Sequence, residues 1–124
     1  MMTIDEMQTL LEEIAEELPD AFFDGLNGGI LLLEDTVLAP EAVDEDLYTM
    51  GEYCEDPLMG SYIVLYYGSF VQICQDMTDD EIRSEIRTTL LHEFTHHLES
   101  RSGEYGLEIA DEQDLADYLA SKRR

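Results

Sequence analysis

Residues 79–102 run without a single proline or glycine, and no other feature constrains the fold as much. Thr78-Asp79-Asp80-Glu81 in front of the run has the form of a capping box, in which the Thr hydroxyl caps the first turn and Glu81 reaches back. The acids Asp79, Asp80 and Glu81 also suit the positive end of a helix dipole. Ile82, Ile86, Leu90 and Phe94 then recur every fourth residue, and Leu91 and Leu98 widen the stripe. The pattern predicts a long amphipathic helix whose apolar face must be covered by the rest of the chain.

This helix carries His92-Glu93-Phe94-Thr95-His96-His97, and all three histidines of the chain fall in the hexapeptide. The spacing is H-E-x-x-H. Positions i and i+4 share one helix face, so His92 and His96 can hold one metal ion from the same side. Glu93, one residue on, can reach a water beside that metal. Two neutral imidazoles and a general base are the minimal kit for zinc-assisted hydrolysis. His92 and His96 flank the apolar stripe, which places the pair at the edge of a buried core. His97, at i+5 from His92, points away from that pair. It is expected on the helix surface or hydrogen-bonded to a neighbouring carboxylate.

The remaining elements follow from similar signals. Thr3-Ile4-Asp5-Glu6 is a second capping box. It opens a helix with Ile4, Met7, Leu11, Ile14 and Leu18 on one face, closed by Pro19. Residues 20–29 are rich in turn formers. Ile30-Leu31-Leu32-Leu33-Glu34 reads as a buried strand. Residues 35–60 are acidic and predict mostly loop, with a short strand near Leu47–Tyr53; the acidic stretch 41–56 is placed to cover the cleft. Tyr62–Tyr67 is the strongest strand signal, and Gly68 is expected to end it. A short helix over Ser69–Asp76 would turn Phe70, Ile73 and Met77 inward. Gly103 and Gly106 break the motif helix, and a last helix is expected from Ala110 to Ser121. Nothing suggests a linker, so residues 1–124 are read as one domain.

Charge narrows the function classes. The formal net charge is −24, and the first 82 residues hold 21 acids and no Lys or Arg. Such a surface repels phosphate backbones and argues against nucleic-acid binding. It would steer basic partners or substrates inward. Cys54 and Cys74 lack a metal-type spacing and are expected as reduced, buried thiols. The first residues carry no secretion signal, and no stretch approaches the roughly 20 apolar residues of a membrane span. A cytoplasmic location without membrane attachment is the expectation.

Taken in order, these residues resemble the small bacterial zincin-like metallopeptidases. The resemblance rests on an acidic N-terminal helix ending in Leu18-Pro19 and a strand ending in Leu33-Glu34-Asp35. It continues through Ile63-Val64-Leu65-Tyr66-Tyr67-Gly68-Ser69-Phe70, then Ile86-Arg87-Thr88-Thr89-Leu90-Leu91-His92-Glu93 and the double histidine at 96–97. It implies an α+β, minimal zincin-like fold: a small twisted β-sheet packed against the H-E-x-x-H helix, with N- and C-terminal helices. It further implies zinc with an open water position, and a strand near Tyr62–Tyr67 bordering a cleft where an extended peptide could add. One departure concerns the third ligand. The family pattern often continues with a Gly and an Asp, and here Glu99 and Ser102 stand at those positions. Asp111, in the segment Leu107-Glu108-Ile109-Ala110-Asp111-Glu112, is then the implied displaced ligand. Glu99 is the rival, since it shares the ligand face of a continuous helix. The resemblance implies a zinc metallopeptidase acting on a peptide or protein, with Glu93 as general base. The alternative is an inactive zincin-like module that binds a basic protein through its acidic surface.

Overall fold

The computed structural model describes residues 1–39 and 47–102. Among the described residues the architecture is α+β, with three α-helices and a small mixed sheet. Helix α1 spans Ile4–Glu17. The Thr3 hydroxyl accepts from the Glu6 N–H at 3.1 Å, and the Glu6 carboxylate accepts from the Thr3 N–H at 2.9 Å. Leu18 has left the helical region, as the residue before a proline must. A 3-10 turn over Asp20–Phe23 follows and leads into β1, Gly29–Leu33.

Beyond β1, the described residues of the expected loop are largely strand, and the short strand expected near Leu47–Tyr53 is present as two neighbouring pieces. The two-residue strands β2 (Val37–Leu38) and β3 (Tyr48–Thr49) pair antiparallel. Strand β4 covers Gly51–Asp56 and β5 covers Gly60–Tyr66. The main sheet has the order β1-β5-β4, with β1 parallel and β4 antiparallel to the central β5. Strand β4 is hard to see in sequence because Glu52, Glu55 and Asp56 dilute its apolar content. Its pairing comes from the hairpin with β5. The Asp56 carboxylate closes that hairpin by accepting from the N–H groups of Leu58 (2.7 Å) and Met59 (2.9 Å), an Asx-type turn.

Helix α2, Tyr67–Cys74, begins where β5 stops. Gly68 was expected to end the strand; it instead lies in the first helical turn. A Cβ there would stand 2.0 Å from Thr36 Oγ1 and 2.8 Å from the Asp35 carbonyl oxygen, so only glycine lets these backbones meet. The buried Ser69 hydroxyl next to it accepts from the Val37 N–H at 3.0 Å, which ties α2 to β2. The buried face of the helix also differs in part from the one expected. Phe70 and Cys74 face inward, and Ile73 is 41% exposed. Cys74 is buried as expected, while Cys54 is only partly so.

Helix α3, Asp79–Ser102, is the predicted long helix. Thr78 Oγ1 accepts from the Glu81 N–H and the Glu81 carboxylate accepts from the Thr78 N–H, both at 3.2 Å. Replacing Thr78 by Ala should cost about 1 kcal/mol of stability in urea unfolding, the usual worth of such a cap. An unchanged midpoint would show that the box contributes nothing. Ile82, Ile86, Leu90, Phe94 and Leu98 are all fully buried. They join Met7, Leu11 and Ile14 of α1, Ile63 and Leu65 of β5, and Phe70 of α2 in one core. Arg83 adds ion pairs to Glu13 and Glu17 across α1 and α3, a modest contribution for groups this exposed. The helix expected over Ala110–Ser121 lies outside the described residues. Among the described residues no helix is long and apolar enough to cross a membrane.

Candidate metal centre

Two neighbouring faces of α3 carry the motif. His92 and His96 form one i, i+4 pair, and Glu93 and His97 form another. The first pair is exposed and the second is buried. The imidazoles of His92 and His96 converge, with Nε2 to Nε2 at 3.1 Å and ring planes at 86°. Two nitrogens bound to one tetrahedral zinc at about 2.0–2.1 Å would lie about 3.3 Å apart. The spacing of these two donors is therefore close to what one zinc ion requires. The sequence placed this pair at the edge of the core; in the structure both rings are on the open side of that edge.

Glu93 sits beneath them at only 6% exposure. Burial pushes its carboxyl above the ordinary range. His92 and His96 oppose this, Glu52 reinforces it, and the nearby backbone N–H of Tyr53 lowers it again. A raised carboxyl in a cleft beside two imidazoles is the arrangement expected of a general base.

The cleft around these groups has a volume of about 760 Å³ and is walled by Gly51, Glu52 and Tyr53 on one side and by His92, Glu93, His96, Glu99 and Ser100 on the other. A second hollow of about 370 Å³ continues past His92 and Glu93 toward Ala39, Tyr48, Met50, Thr88 and Thr89. The wall strand is thus β4, and not the strand near Tyr62–Tyr67 as the resemblance implied. Strand β5 has β1 and β4 on its two sides, so no further strand can add to it. Gly51 allows the wall to come close: a Cβ there would meet Leu65 Cδ2 at 2.7 Å and the Thr89 methyl at 3.2 Å. The expected acidic cover over 41–56 is, from Gly51 onward, this paired strand. Residues 40–46 lie outside the described residues.

The third ligand is a different matter. Asp111 lies outside the described residues. Glu99 lines the cleft, but among the described residues no three His, Cys, Asp or Glu side chains are grouped to hold a metal together. Of the tyrosines available as an oxyanion donor, Tyr67 is committed elsewhere, donating to the Met2 carbonyl at 2.6 Å. Tyr66 is pushed up to about 12, first by burial and then by Glu52, so its hydroxyl keeps its proton. Tyr105 lies outside the described residues.

His97 departs from the expectation of a surface residue. It is 1% exposed. Its Nε2 donates to the Asp24 carbonyl at 2.8 Å, and its Nδ1 meets the Tyr53 hydroxyl at 3.1 Å. Tyr53 and Glu52, which border the site from β4, were not singled out in the sequence. The only signal there was the weak strand tendency ending at Tyr53.

Comparison with known proteins identifies the family and a similar fold. The family model for zincin-like metallopeptidases matches residues 39–117. A conserved hypothetical protein from Thermo thermophilus has a similar structure, with a TM-score of 0.69 and 31% identity. The match covers 82% of this chain and 99% of that one. No curated protein matches. The chain belongs to the zincin-like metallopeptidase family, whose members typically bind zinc.

Proposed function

We propose that this protein is a zinc-dependent metallopeptidase, with His92 and His96 as two of the metal ligands and Glu93 as the general base. The observation that carries the reading is the pair of Nε2 atoms 3.1 Å apart beside a buried Glu93 whose carboxyl burial raises above its ordinary range. Asp111 is the proposed third ligand. When bound, zinc supplies a Lewis acid that polarises the scissile carbonyl and makes water acidic near neutral pH. Glu93 takes the proton of the attacking water. It then delivers that proton to the departing amine nitrogen as the carbon–nitrogen bond breaks. His92 and His96 would hold the metal through their Nε2 atoms, which one helix face brings together. The cleft is walled partly by the acids Glu52 and Glu99, so a peptide with basic side chains suits it best.

Elemental analysis of the purified protein beside a His96→Ala variant tests the reading. About one zinc per chain in the parent, lost in the variant, is the expected result. Cleavage of a peptide library by the zinc-loaded parent then completes the test. A parent that takes up no zinc at neutral pH would overturn the assignment and favour a non-catalytic module binding a basic partner.

A further inference from the structure

The motif helix uses its two i, i+4 pairs for different tasks. His92 and His96 face the open cleft. Glu93 and His97 lie under β4, and Ser100 extends their line by one more turn, at i+7 from Glu93. Each of the three meets β4. Glu93 shares the cleft with Tyr53, whose backbone N–H favours the charged carboxylate. His97 meets the Tyr53 hydroxyl at 3.1 Å. Ser100 donates to Glu55 at 2.8 Å.

Strand pairing explains why Tyr53 can serve twice. The Tyr66 N–H donates to the Met50 carbonyl at 2.9 Å, so these two residues form a hydrogen-bonded antiparallel pair. The pattern alternates along the register. Glu52 and Cys54 therefore bond to β5, while the amide of Tyr53 points to the free edge of the sheet. That is the edge where Glu93 stands. Tyr53 thus turns its amide toward Glu93 and its hydroxyl to His97, one helical turn away, while the same hydroxyl also lies 3.3 Å from Glu55 Oε1.

We infer that His97 and Tyr53 are positioning residues: their side-chain bond fixes β4 against α3 so that the Tyr53 amide aims the Glu93 carboxylate. His97 is anchored at its other end. The Asp24 carbonyl can only accept, so Nε2 carries a proton, and the ring is held from both sides in a fully buried slot. The ring is therefore a rigid spacer between the loop at Asp24, the motif helix and the cleft wall. The name of general base for Glu93 rests on the proposed function. The geometry and its test do not.

The test reads hydrogen exchange at the amide of position 53 in the full-length, metal-free protein by NMR. An edge-strand amide exchanges quickly unless an acceptor holds it. The wild-type amide is expected to be protected, and Glu93→Ala should release it. Tyr53→Phe removes only the hydroxyl and should speed exchange at this amide roughly tenfold, the scale of a weakened charged hydrogen bond. The amides of Glu52 and Cys54 should hold. His97→Gln keeps a donor toward Asp24 but loses the Nδ1 position, and should behave as Tyr53→Phe does. His97→Asn places an amide near the Nδ1 position and should restore protection. Rapid exchange in the wild type would overturn the inference. So would unchanged protection in Tyr53→Phe, or a loss shared equally by Glu52 and Cys54, which would mark a general structural role. None of these outcomes depends on peptide cleavage. In an active enzyme, Tyr53→Phe should in addition lower kcat with little change in KM, as misaiming a base does.

Discussion

A Glu93→Gln variant is expected to keep its zinc and lose peptide hydrolysis by about 10²–10⁴-fold, the usual contribution of a placed general base. Gln has nearly the same shape, and its carbonyl oxygen can still accept from the Tyr53 N–H. It cannot take a proton from water. The same variant should be more stable than the parent when both are metal-free. Burial raises the Glu93 carboxyl above its ordinary 4.5. The folded state then binds this proton more tightly than the unfolded chain does. Stability conferred by a group with a raised folded value is present at low pH and is lost as pH rises from the ordinary value through the folded one. Gln has no such titration. The stability gap in favour of Glu93→Gln should therefore be small near pH 4 and larger near about pH 8. Urea unfolding of both metal-free proteins at the two pH values measures it. A gap of equal size at both would mean that burial does not govern this carboxyl. Residual hydrolysis near the parent rate would remove Glu93 from the role of base.

The parts of this fold that can be read from sequence are those whose signal is local. The α3 stripe from Ile82 to Leu98 repeats at helical spacing, and Thr3 and Thr78 each announce a helix start three residues ahead of a glutamate. The His92–His96 pair is likewise a single turn apart. The residues that shape the cleft from the other side obey no local rule. Strand β4 owes its form to pairing with β5, and its acids hide the alternation. His97 looks like part of a polar surface run because its partners are remote. Tyr53 is 44 positions away in the chain and Asp24 is 73. A buried polar side chain needs such partners to offset its desolvation, and periodicity of apolar residues cannot reveal them. Ile73 shows the same limit on a smaller scale. Both Ile73 and Cys74 lie within one turn of Phe70, and local spacing does not say that Cys74 takes the buried place.

Phe94→Ala should cost about 3–5 kcal/mol of stability, the range for a fully buried aromatic removed without collapse of the space it leaves. Phe94 lies on the core side of the motif, beyond the Glu93 and His97 face, and is wholly buried. Its ring meets Phe22 at 5.5 Å and Phe23 edge-on at 5.1 Å, contacts that add to simple burial. These rings anchor the helix turn that carries His92, Glu93 and His96 to the segment after α1. Urea unfolding of the metal-free variant measures the loss, and a midpoint equal to the parent's would show that the aromatic cluster is not part of the core. Zinc separates stability from site geometry. At a free zinc concentration 100-fold above the dissociation constant, binding stabilises a folded protein by about 2.7 kcal/mol. If the cluster only supplies packing, the variant should gain as much from a given zinc concentration as the parent does. If the cluster also sets the turn, the variant's gain should be smaller, because its histidines no longer converge. The second result is expected, since Phe94 is flanked in the chain by Glu93 and lies two residues from both His92 and His96.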